Sequence, residues 1–359
     1  MKRSIYLLLP ILAAFVAMQT ACLKKPDASP VSPVADRPLT TVLKNNYSFS
    51  MFYSALQRTG LDKTIDADGP YTLLVPDNDA FARSGITADS LAKIDVATLK
   101  KIISYHIIHE SITYSTIPQS IDFKYTTLAG VPVYFSEPLP GLSQNQNLNS
   151  QIAHINGVTV NKFDIAATNG NIMVLNKVLY YPATSVKDIL QQTAKYSYFV
   201  KALKQFGLFD QLDKAGPYLV MAPSNDAFLQ YGLDDAAIAQ MDSLHYHKYL
   251  FNGYIIPSQR FFITDLADAP LASDAPQGII TPNYLQYFLQ GNEYAPASFG
   301  LKSLSYQFIE TYYFLPPYYG NAFIWAPPTP VTDPDHQAGN GVVHGIDALV
   351  MQPDSALVH

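Results

Sequence analysis

The sequence predicts a protein of mixed helices and strands that is built as two tandem copies of one unit. Two closely similar stretches, "GPYTLLVPDNDAF" (69–81) and "GPYLVMAPSNDAF" (216–228), lie 147 residues apart. The segments around them repeat as well, because each copy opens with a helical pattern and closes with an apolar strand. Self-similarity at a fixed spacing is typical of a duplicated structural unit.

The composition fits a folded chain of two or three domains and argues against a nucleic-acid-binding protein. Of the 359 residues, 48% are apolar and 14% are charged, which is enough apolar material for packed cores. The net charge is −6, whereas a nucleic-acid interface needs a basic face. The 25 tyrosines suit contact surfaces and strands alike.

Residues 1–21 have the form of a secretory signal peptide. Lys2 and Arg3 precede a 14-residue apolar run (5–18), which is too short to span a bilayer. Cys22 follows small residues and is the only cysteine, and its setting resembles the acylated cysteine of bacterial lipoproteins. An ordinary signal peptide with an incidental cysteine is the alternative. No intramolecular disulfide is available, so the core must supply the stability.

Residues 22–38 are predicted to be an extended tether. They contain four prolines among small and polar residues, a composition that packs poorly. With a lipid on Cys22, this segment would hold the folded part clear of the membrane surface. We expect a lipid-anchored protein of the cell envelope. Leu23 favours the outer membrane, and the choice between its periplasmic and outer sides stays open.

Each copy opens with an amphipathic helical pattern, over 39–65 in the first and 185–212 in the second. In both, the pattern is interrupted by a glycine at the same place, Gly60 and Gly207, as expected for a helix C-cap. A short polar turn then leads into the repeated junction.

The repeated junction is predicted to be a buried strand that ends at a proline and is followed by a capped helix. The apolar runs "YTLLVP" and "YLVMAP" are too short for helices and read as central strands. Asp77 and Ser224 supply side-chain oxygens for the first free N–H groups of a helix. Phe81 and Phe228 are expected to return to the core. Asn78 and Asn225 are expected to be structural, with ligand contact as the alternative.

Both copies are predicted to end on a strand. "TNGNIMVLNKVLYYP" (168–182) matches "GNGVVHGIDALVMQP" (339–353), but at an offset of 171 residues. The second copy therefore carries a net insertion of 24 residues before its last strand. The predicted domains are residues 39–183 and residues 184–354, with an aromatic-rich insertion at about 278–327.

The motifs together resemble the fasciclin domain family. They are the "P-x-N-x-A-F" junction, "YH" in the first copy, and "GVVHGID" in the closing strand of the second. The resemblance implies an α+β fold of two tandem wedge-shaped domains, each with a short-stranded, β-sandwich-like core and helices packed on it. It also implies adhesion or extracellular binding without a catalytic centre. The family-motif residues are Asn78, Phe81, Tyr105, His106, Asn225, Phe228, His344 and Asp347.

Neither copy keeps the full motif set. The first has Met173 and Asn176 where the second has His344 and Asp347. In the second, the middle motif is degraded, and the stretch 247–249 in "HYHKY" is expected to lie in the register of Tyr105 and His106.

No sequence motif indicates a catalytic, metal or cofactor site. The chain contains no H-E-x-x-H pattern, phosphate loop or nucleophile elbow, and the Asp77–Asp79 stretch lacks the rest of a calcium loop. His106 and His344 are expected to be hydrogen-bonded core histidines. We therefore predict no catalytic residues, no bound metal and no cofactor, and a hydrolase is the least favoured reading.

The aromatic insertion is the candidate binding surface. Its densest part, "YYFLPPYYGNAFIW", is almost free of charge, and such residues form rigid contact surfaces. The same residues could instead fill strands and an enlarged core. The predicted function is a non-catalytic adhesion or binding module with a protein or glycan ligand. The alternative is an accessory component of an outer-membrane glycan or nutrient uptake assembly. The candidate contact residues are Tyr312, Tyr313, Tyr318, Tyr319 and Trp325.

Overall fold

A computed structural model describes residues 37–67, 69–137, 151–257, 260–265, 277–280, 285–292, 295–303, 325–349 and 353–357. The helices in these ranges are α1 Leu39–Lys44, α2 Ser50–Thr59, α3 Leu61–Ala67, α4 Asn78–Arg83, α5 Ala88–Lys93, α6 Val96–Tyr105, α7 Val186–Gln192, α8 Ser197–Gln205, α9 Asn225–Leu229, α10 Asp235–Gln240 and α11 Tyr249–Asn252. None of them combines the length and apolar character that crossing a bilayer requires.

The described strands form two sheets of mixed direction. The strands are β1 Tyr71–Pro76, β2 Ile107–Ile108, β3 Phe123–Thr126, β4 Pro132–Ser136, β5 His154–Ile155, β6 Val158–Ala167, β7 Gly170–Leu175, β8 Tyr218–Pro223, β9 Ile255–Pro257, β10 Gln277–Ile280, β11 Leu285–Asn292, β12 Ala295–Ser303, β13 Trp325–Ala338 and β14 Gly341–Ile346. The first sheet has the order β2-β1-β7-β6-β5-β4-β3, and the second has the equivalent order β9-β8-β14-β13-β12-β11-β10. Separate helices and largely antiparallel sheets confirm the α+β class. We call the units built on these sheets the first and second domains.

The parallel pair near one edge of each sheet joins the opening strand of a copy to its closing strand. Tyr71 pairs with Gly170, and Tyr218 pairs with Gly341, so both domains have the same register. A Cβ atom at either glycine would collide with the carbonyl oxygen of the paired tyrosine. The close approach of the two backbones therefore requires glycine at both positions.

The opening helical pattern of the first copy is divided into three helices by the predicted break at Gly60 and by a second break after Lys44, which the sequence analysis did not predict. The interruption after Lys44 arises because the Asn46 side chain accepts a hydrogen bond from Ser48 N at 3.0 Å and starts a new helical turn. The next helix ends at Gly60, whose φ of 71° is left-handed, as the sequence predicted. Gly207 has a φ of 67° in the second domain.

Both faces of strand β1 are covered by other parts of the first domain, which explains the continuous apolar sequence of this strand. Leu73 and Val75 pack with Phe52 in a cluster on the helical side. Leu74 packs with Phe135 in a second cluster, to which the outer strands of the same sheet contribute. All six residues of β1 are buried. The sheet thus folds back over itself and produces a sandwich-like core with helices on the other side.

Candidate functional site

Asn78 and Asn225 tie the repeated junction to the helical turn that precedes it in each domain. Asn78 Nδ2 donates to the Tyr47 carbonyl oxygen at 2.9 Å, and its Oδ1 accepts from Met51 N at 3.2 Å. Asn225 makes the equivalent contacts with Ala194 O at 3.2 Å and Tyr198 N at 3.0 Å. An amide is needed because one side chain must donate and accept at the same time.

The rest of the junction has the predicted cap and core anchor. Asp77 Oδ1 accepts from Ala80 N at 2.7 Å, and Ser224 Oγ accepts from Ala227 N at 3.3 Å. Phe81 lies in α4 and Phe228 in α9, and both are buried in the apolar clusters of their domains. This confirms the interpretation of the junction as a strand stop followed by a capped helix.

Asn169 and Asn340 form a second pair of asparagines that link distant backbone segments, and the sequence analysis did not identify them. Asn169 Oδ1 accepts from Leu39 N at 2.9 Å, and its Nδ2 donates to Ile65 O at 2.6 Å. Asn340 accepts from Val186 N at 2.8 Å and donates to the Leu212 and Lys214 carbonyl oxygens at 2.9 and 2.8 Å. The available signal was the Asn-Gly dipeptide before both closing strands.

His106 is a buried residue with both ring nitrogens in hydrogen bonds. Its Nδ1 donates to Ile102 O at 2.8 Å, and its Nε2 accepts from Leu179 N at 3.1 Å, which fixes the neutral tautomer. Burial lowers the pKa of His106 to about 4. The imidazole is therefore a structural group with no free nitrogen for proton transfer.

In the second domain, Tyr254 takes the place of His106, and the expected register of residues 247–249 is wrong. Leu74 N donates to His106 O at 2.8 Å, and the repeat-related Met221 N donates to Tyr254 O at 2.9 Å. The intervening helix shrinks from ten residues in α6 to four in α11, so the local pattern that defined the motif is lost.

His344 lies in β14 and is fully buried at the junction with β13. Its Nδ1 accepts from Asp335 N at 3.0 Å, and its Nε2 contacts Phe261 O at 2.9 Å, which makes Nε2 the protonated nitrogen. Burial lowers the pKa of His344 and raises the pKa of the nearby Asp335 carboxyl. Asp347, just beyond the strand, is exposed, and its carbonyl oxygen accepts from Gln230 Nε2 at 3.1 Å.

The predicted lipidation and contact residues lie largely outside the described residues. Cys22 and four of the candidate aromatics are in this group: Tyr312, Tyr313, Tyr318 and Tyr319. Trp325 begins β13, and only its backbone is described. The strands β11 and β12 and the start of β13 fall within the predicted insertion and extend the second sheet.

The two domains meet along a hydrogen-bonded seam that includes Tyr105. The Tyr105 hydroxyl accepts from Asn156 Nδ2 at 2.8 Å and lies 3.0 Å from Pro132 O and 3.1 Å from Gln337 Oε1 of the second domain. Burial raises the pKa of Tyr105, so its hydroxyl stays protonated. Tyr105 is therefore an interdomain contact and is not presented to solvent.

The backbone of Ala183 continues this seam. Ala183 N donates to Gln337 O at 3.1 Å, and Gly339 N donates to Ala183 O at 2.9 Å, forming a parallel bridge. Both backbone polar groups of Ala183, its N–H and its carbonyl oxygen, are thus hydrogen-bonded to strand β13 and the turn after it. These bonds restrict rotation of one domain against the other.

Beside the seam, a cleft of about 730 Å³ contains Arg260 and Asp122 from opposite domains. The Arg260 guanidinium lies 4.2 Å from the centroid of the Tyr134 ring and donates to three backbone carbonyl oxygens at 3.2–3.3 Å: Ala338, Gly339 and Gly341. Asp122 Oδ1 is buried and has no hydrogen-bond partner among the described residues. Burial raises the pKa of Asp122 to about 7, although the charge of Arg260 opposes this.

Arg260 and Asp122 can bind a ligand through charge and hydrogen bonds. Within the described ranges, no three His, Cys, Asp or Glu side chains gather where they could hold a metal ion. Arg260 is satisfied by carbonyl oxygens and an aromatic face, while Asp122 retains the capacity to accept a hydrogen bond. The cleft, which is lined by residues of both domains, is therefore a candidate site for contact with a ligand.

Comparison with known proteins assigns the fold to a family. The model of the fasciclin domain matches residues 47–182 and again residues 194–352, well over half of the chain. The chain belongs to the fasciclin domain family and contains the domain twice, as the sequence motifs suggested.

The similar proteins come from animals and bacteria. The chain is 27% identical over 204 residues to transforming growth factor-beta-induced protein ig-h3 of Sus scrofa, which covers 54% of this chain and 28% of that protein. It is 27% identical over 146 residues to protein sll1483 of Synechocystis sp., covering 40% of this chain and 73% of that protein. It is 28% identical over 120 residues to Fasciclin-1 of Schistocerca americana, covering 33% of this chain and 18% of that protein.

Among solved structures, the chain matches the FAS1 domain pair of the insect cell adhesion molecule Fasciclin I. The match has 18% sequence identity and a TM-score of 0.37, and it covers 87% of this chain and 99% of that chain. This chain spans 28% of the length of its animal relative ig-h3 and 18% of the length of Fasciclin-1.

Proposed function

We propose that this protein is a cell-envelope lipoprotein whose two fasciclin domains act as a non-catalytic adhesion or extracellular binding module. Cys22 carries the lipid, residues 22–38 form the tether, and the outer membrane is the site of attachment. Across this function and the second candidate below, the ligand is a protein or a glycan; adhesion to a protein is expected for the first.

The observation that carries this proposal is the occurrence of the fasciclin domain in both halves of the chain. In the present chain, the seam through Tyr105, Gln337 and Ala183 would hold two domains as one unit. A ligand could then contact both domains without ordering them first, which lowers the entropic cost of binding.

A second candidate function is supported by the aromatic insertion. Residues 304–324 connect β12 to β13 and contain a dense group of aromatic residues with few charges. The strands around them extend the second sheet away from the parallel pair β8·β14. A segment of this composition would suit contact with glycan or with another subunit of an outer-membrane uptake assembly.

The anchor is tested by labelling cells that express the full chain with an alkyne fatty acid. The wild type should carry the label and sediment with the outer membrane, whereas Cys22→Ala should lose both properties. A Cys22→Ala protein that still takes up the label, or a wild type without label, would show that the lipoprotein assignment is wrong.

The ligand class is tested with the detergent-solubilised chain on a glycan array and in an adhesion assay on protein-coated surfaces. Adhesion to protein without glycan binding supports the first function, and glycan binding supports the second. The variant Tyr318→Ala/Tyr319→Ala/Trp325→Ala should lose the binding. Its control is Tyr47→Ala, because Tyr47 is 86% exposed and lies in the first domain. Unchanged binding by the triple variant would exclude the insertion as the interface.

A further inference from the structure

The first domain contains an apolar cavity of about 200 Å³ between its helices and the chain segment that follows β7. Its inner wall consists of buried side chains, among them Phe52, Phe81, Leu91, Leu99, Ile103 and Leu179. Protein interiors are normally packed without voids of this size. An engineered cavity of about 150 Å³ with a similar lining stays dry and binds benzene.

The polar side-chain groups of His106 and Tyr180, which line this cavity, are engaged in hydrogen bonds. His106, in the wall, uses both ring nitrogens in hydrogen bonds to Ile102 O and Leu179 N. The hydroxyl of Tyr180 donates to Ser84 O at 3.2 Å. The buried part of this space therefore offers little to an ionic or hydrogen-bonding ligand, and a stably bound water needs two to four polar partners.

The second domain shows how the same fold fills this space. Ile103 O accepts from His106 N at 3.0 Å, and Phe251 O accepts from Tyr254 N at 3.2 Å, so Phe251 occupies the place of Ile103 and Tyr254 that of His106. Both replacements are larger aromatic residues and are buried.

The two aromatic rings pack on the counterparts of the cavity wall. Phe251 stacks on Phe228 at a centroid distance of 6.0 Å, and Tyr254 contacts Phe199 edge-on at 5.7 Å. Phe228 and Phe199 correspond to Phe81 and Phe52, which line the cavity in the first domain. At these two positions, the second domain therefore places larger side chains against the counterparts of the cavity wall.

The cavity has a mouth at the surface. Ile86, Ile94 and Ile102 are partly exposed, and Tyr180 and Tyr181 are 66% and 38% exposed. All five residues line the cavity. Apolar and aromatic side chains therefore surround an entrance through which a small molecule can reach the buried wall.

We infer that the first domain binds a small, uncharged, apolar molecule in this cavity, of about the size of one aromatic ring with a short alkyl substituent. The binding energy comes from filling a dry apolar space. This inference does not depend on the proposed function.

The test uses toluene as the probe and the mature chain, residues 22–359, with Cys22→Ser so that no acyl chain competes. Isoleucine δ1-methyl groups are labelled with ¹³C, and their chemical shifts are followed during titration. The methyl groups of Ile86, Ile94, Ile102 and Ile103 should shift in a saturable manner. Absence of saturable shifts, or shifts confined to other isoleucines, would overturn the inference.

A filled variant and a matched control make the test specific. Ile103→Phe introduces the residue found in the second domain, and it should weaken toluene binding at least about tenfold because the ring occupies the space. Val96→Phe places the same ring on an exposed position of the same helix and should bind like the wild type. Equal binding by Ile103→Phe and the wild type would contradict the assignment.

Two further measurements complete the test. One replaces Ile103→Phe if that variant does not fold, and the other asks whether the ligand is part of a lipid. His106→Tyr is the second filling variant, with the same expected loss of toluene binding. Vesicles of phosphatidylcholine are titrated in place of toluene. Isoleucine shifts with vesicles but not with toluene would show that the site takes a lipid chain end, and would overturn the assignment to a free small molecule.

Discussion

Lowering the pH should destabilise the first domain through one residue, His106. The neutral imidazole donates from Nδ1 to Ile102 O and accepts at Nε2 from Leu179 N. A second proton would have to be placed on Nε2, which already faces an N–H donor, and the resulting charge would be buried. These conditions lower the pKa of His106 to about 4 from the ordinary value of about 6.5.

The sign and size of the effect follow from proton linkage. Below about pH 6.5 the unfolded chain binds a proton at this histidine, whereas the folded chain binds it only near pH 4. The stability contributed by the neutral form is thus complete above pH 6.5 and is lost as the pH falls toward 4. The loss amounts to about 2 kcal/mol at pH 5 and about 3 kcal/mol in full.

The measurement is urea unfolding at pH 7.5 and pH 5, followed by far-ultraviolet circular dichroism, for the wild type and His106→Gln. The variant should be less stable at pH 7.5 by about 1–3 kcal/mol, because the two hydrogen bonds are disturbed. Its further loss between pH 7.5 and 5 should be smaller than that of the wild type by about 2 kcal/mol. His109→Gln, an exposed histidine three residues further on, is the control. Equal pH dependence of His106→Gln and the wild type would refute the reasoning.

Three other predictions concern polar groups at the seam and in the cleft. Asp122→Asn should raise the free energy of unfolding at both pH 5 and pH 8, by about 2 kcal/mol more at pH 8, because the unfolded carboxyl ionises near its ordinary pKa of 3.8 whereas burial delays its ionisation in the folded chain to about pH 7; urea unfolding at both pH values tests this. Asn340→Ala should cost about 2–3 kcal/mol in urea unfolding, since it removes three hydrogen bonds, while Asn161→Ala at an exposed position should be nearly neutral. Tyr105→Phe should cost about 1–2 kcal/mol and lower the melting temperature by calorimetry, because Asn156 loses its buried acceptor; an unchanged melting temperature would argue against the seam.

The duplication made much of the fold predictable. The repeated proline, cap and phenylalanine at each junction are local signals, since they concern residues within a few positions of one another. The close backbone approach at Gly170 and Gly341 could likewise be suspected, because glycine recurs at the same point of both closing strands. Such features are visible in a sequence because local chemistry decides them.

Other features depend on contacts that sequence spacing does not reveal. Tyr105 and Gln337 are 232 residues apart, and Asn169 reaches backbone groups 104 and 130 residues away. The second-domain counterpart of His106 was misplaced because the histidines in "HYHKY" resemble the missing motif more closely than Tyr254 does. The backbone hydrogen bond to the central strand, and not the residue type, identifies the equivalent position.

The placement of the buried histidines explains how each domain can lack part of the family motif and still form a complete core. The first domain has His106 beside the central pair and Met173 in its closing strand, while the second has Tyr254 and His344 at these positions. A buried imidazole must find both a donor and an acceptor, which Leu179 N and Ile102 O provide in one domain and Asp335 N and Phe261 O in the other. The buried Met173 side chain needs no hydrogen-bond partner, whereas Tyr254 adds a larger ring to the core. The domains therefore share a backbone but differ in how it is filled, so a cavity can exist in one copy while the other copy packs the same space with aromatic rings.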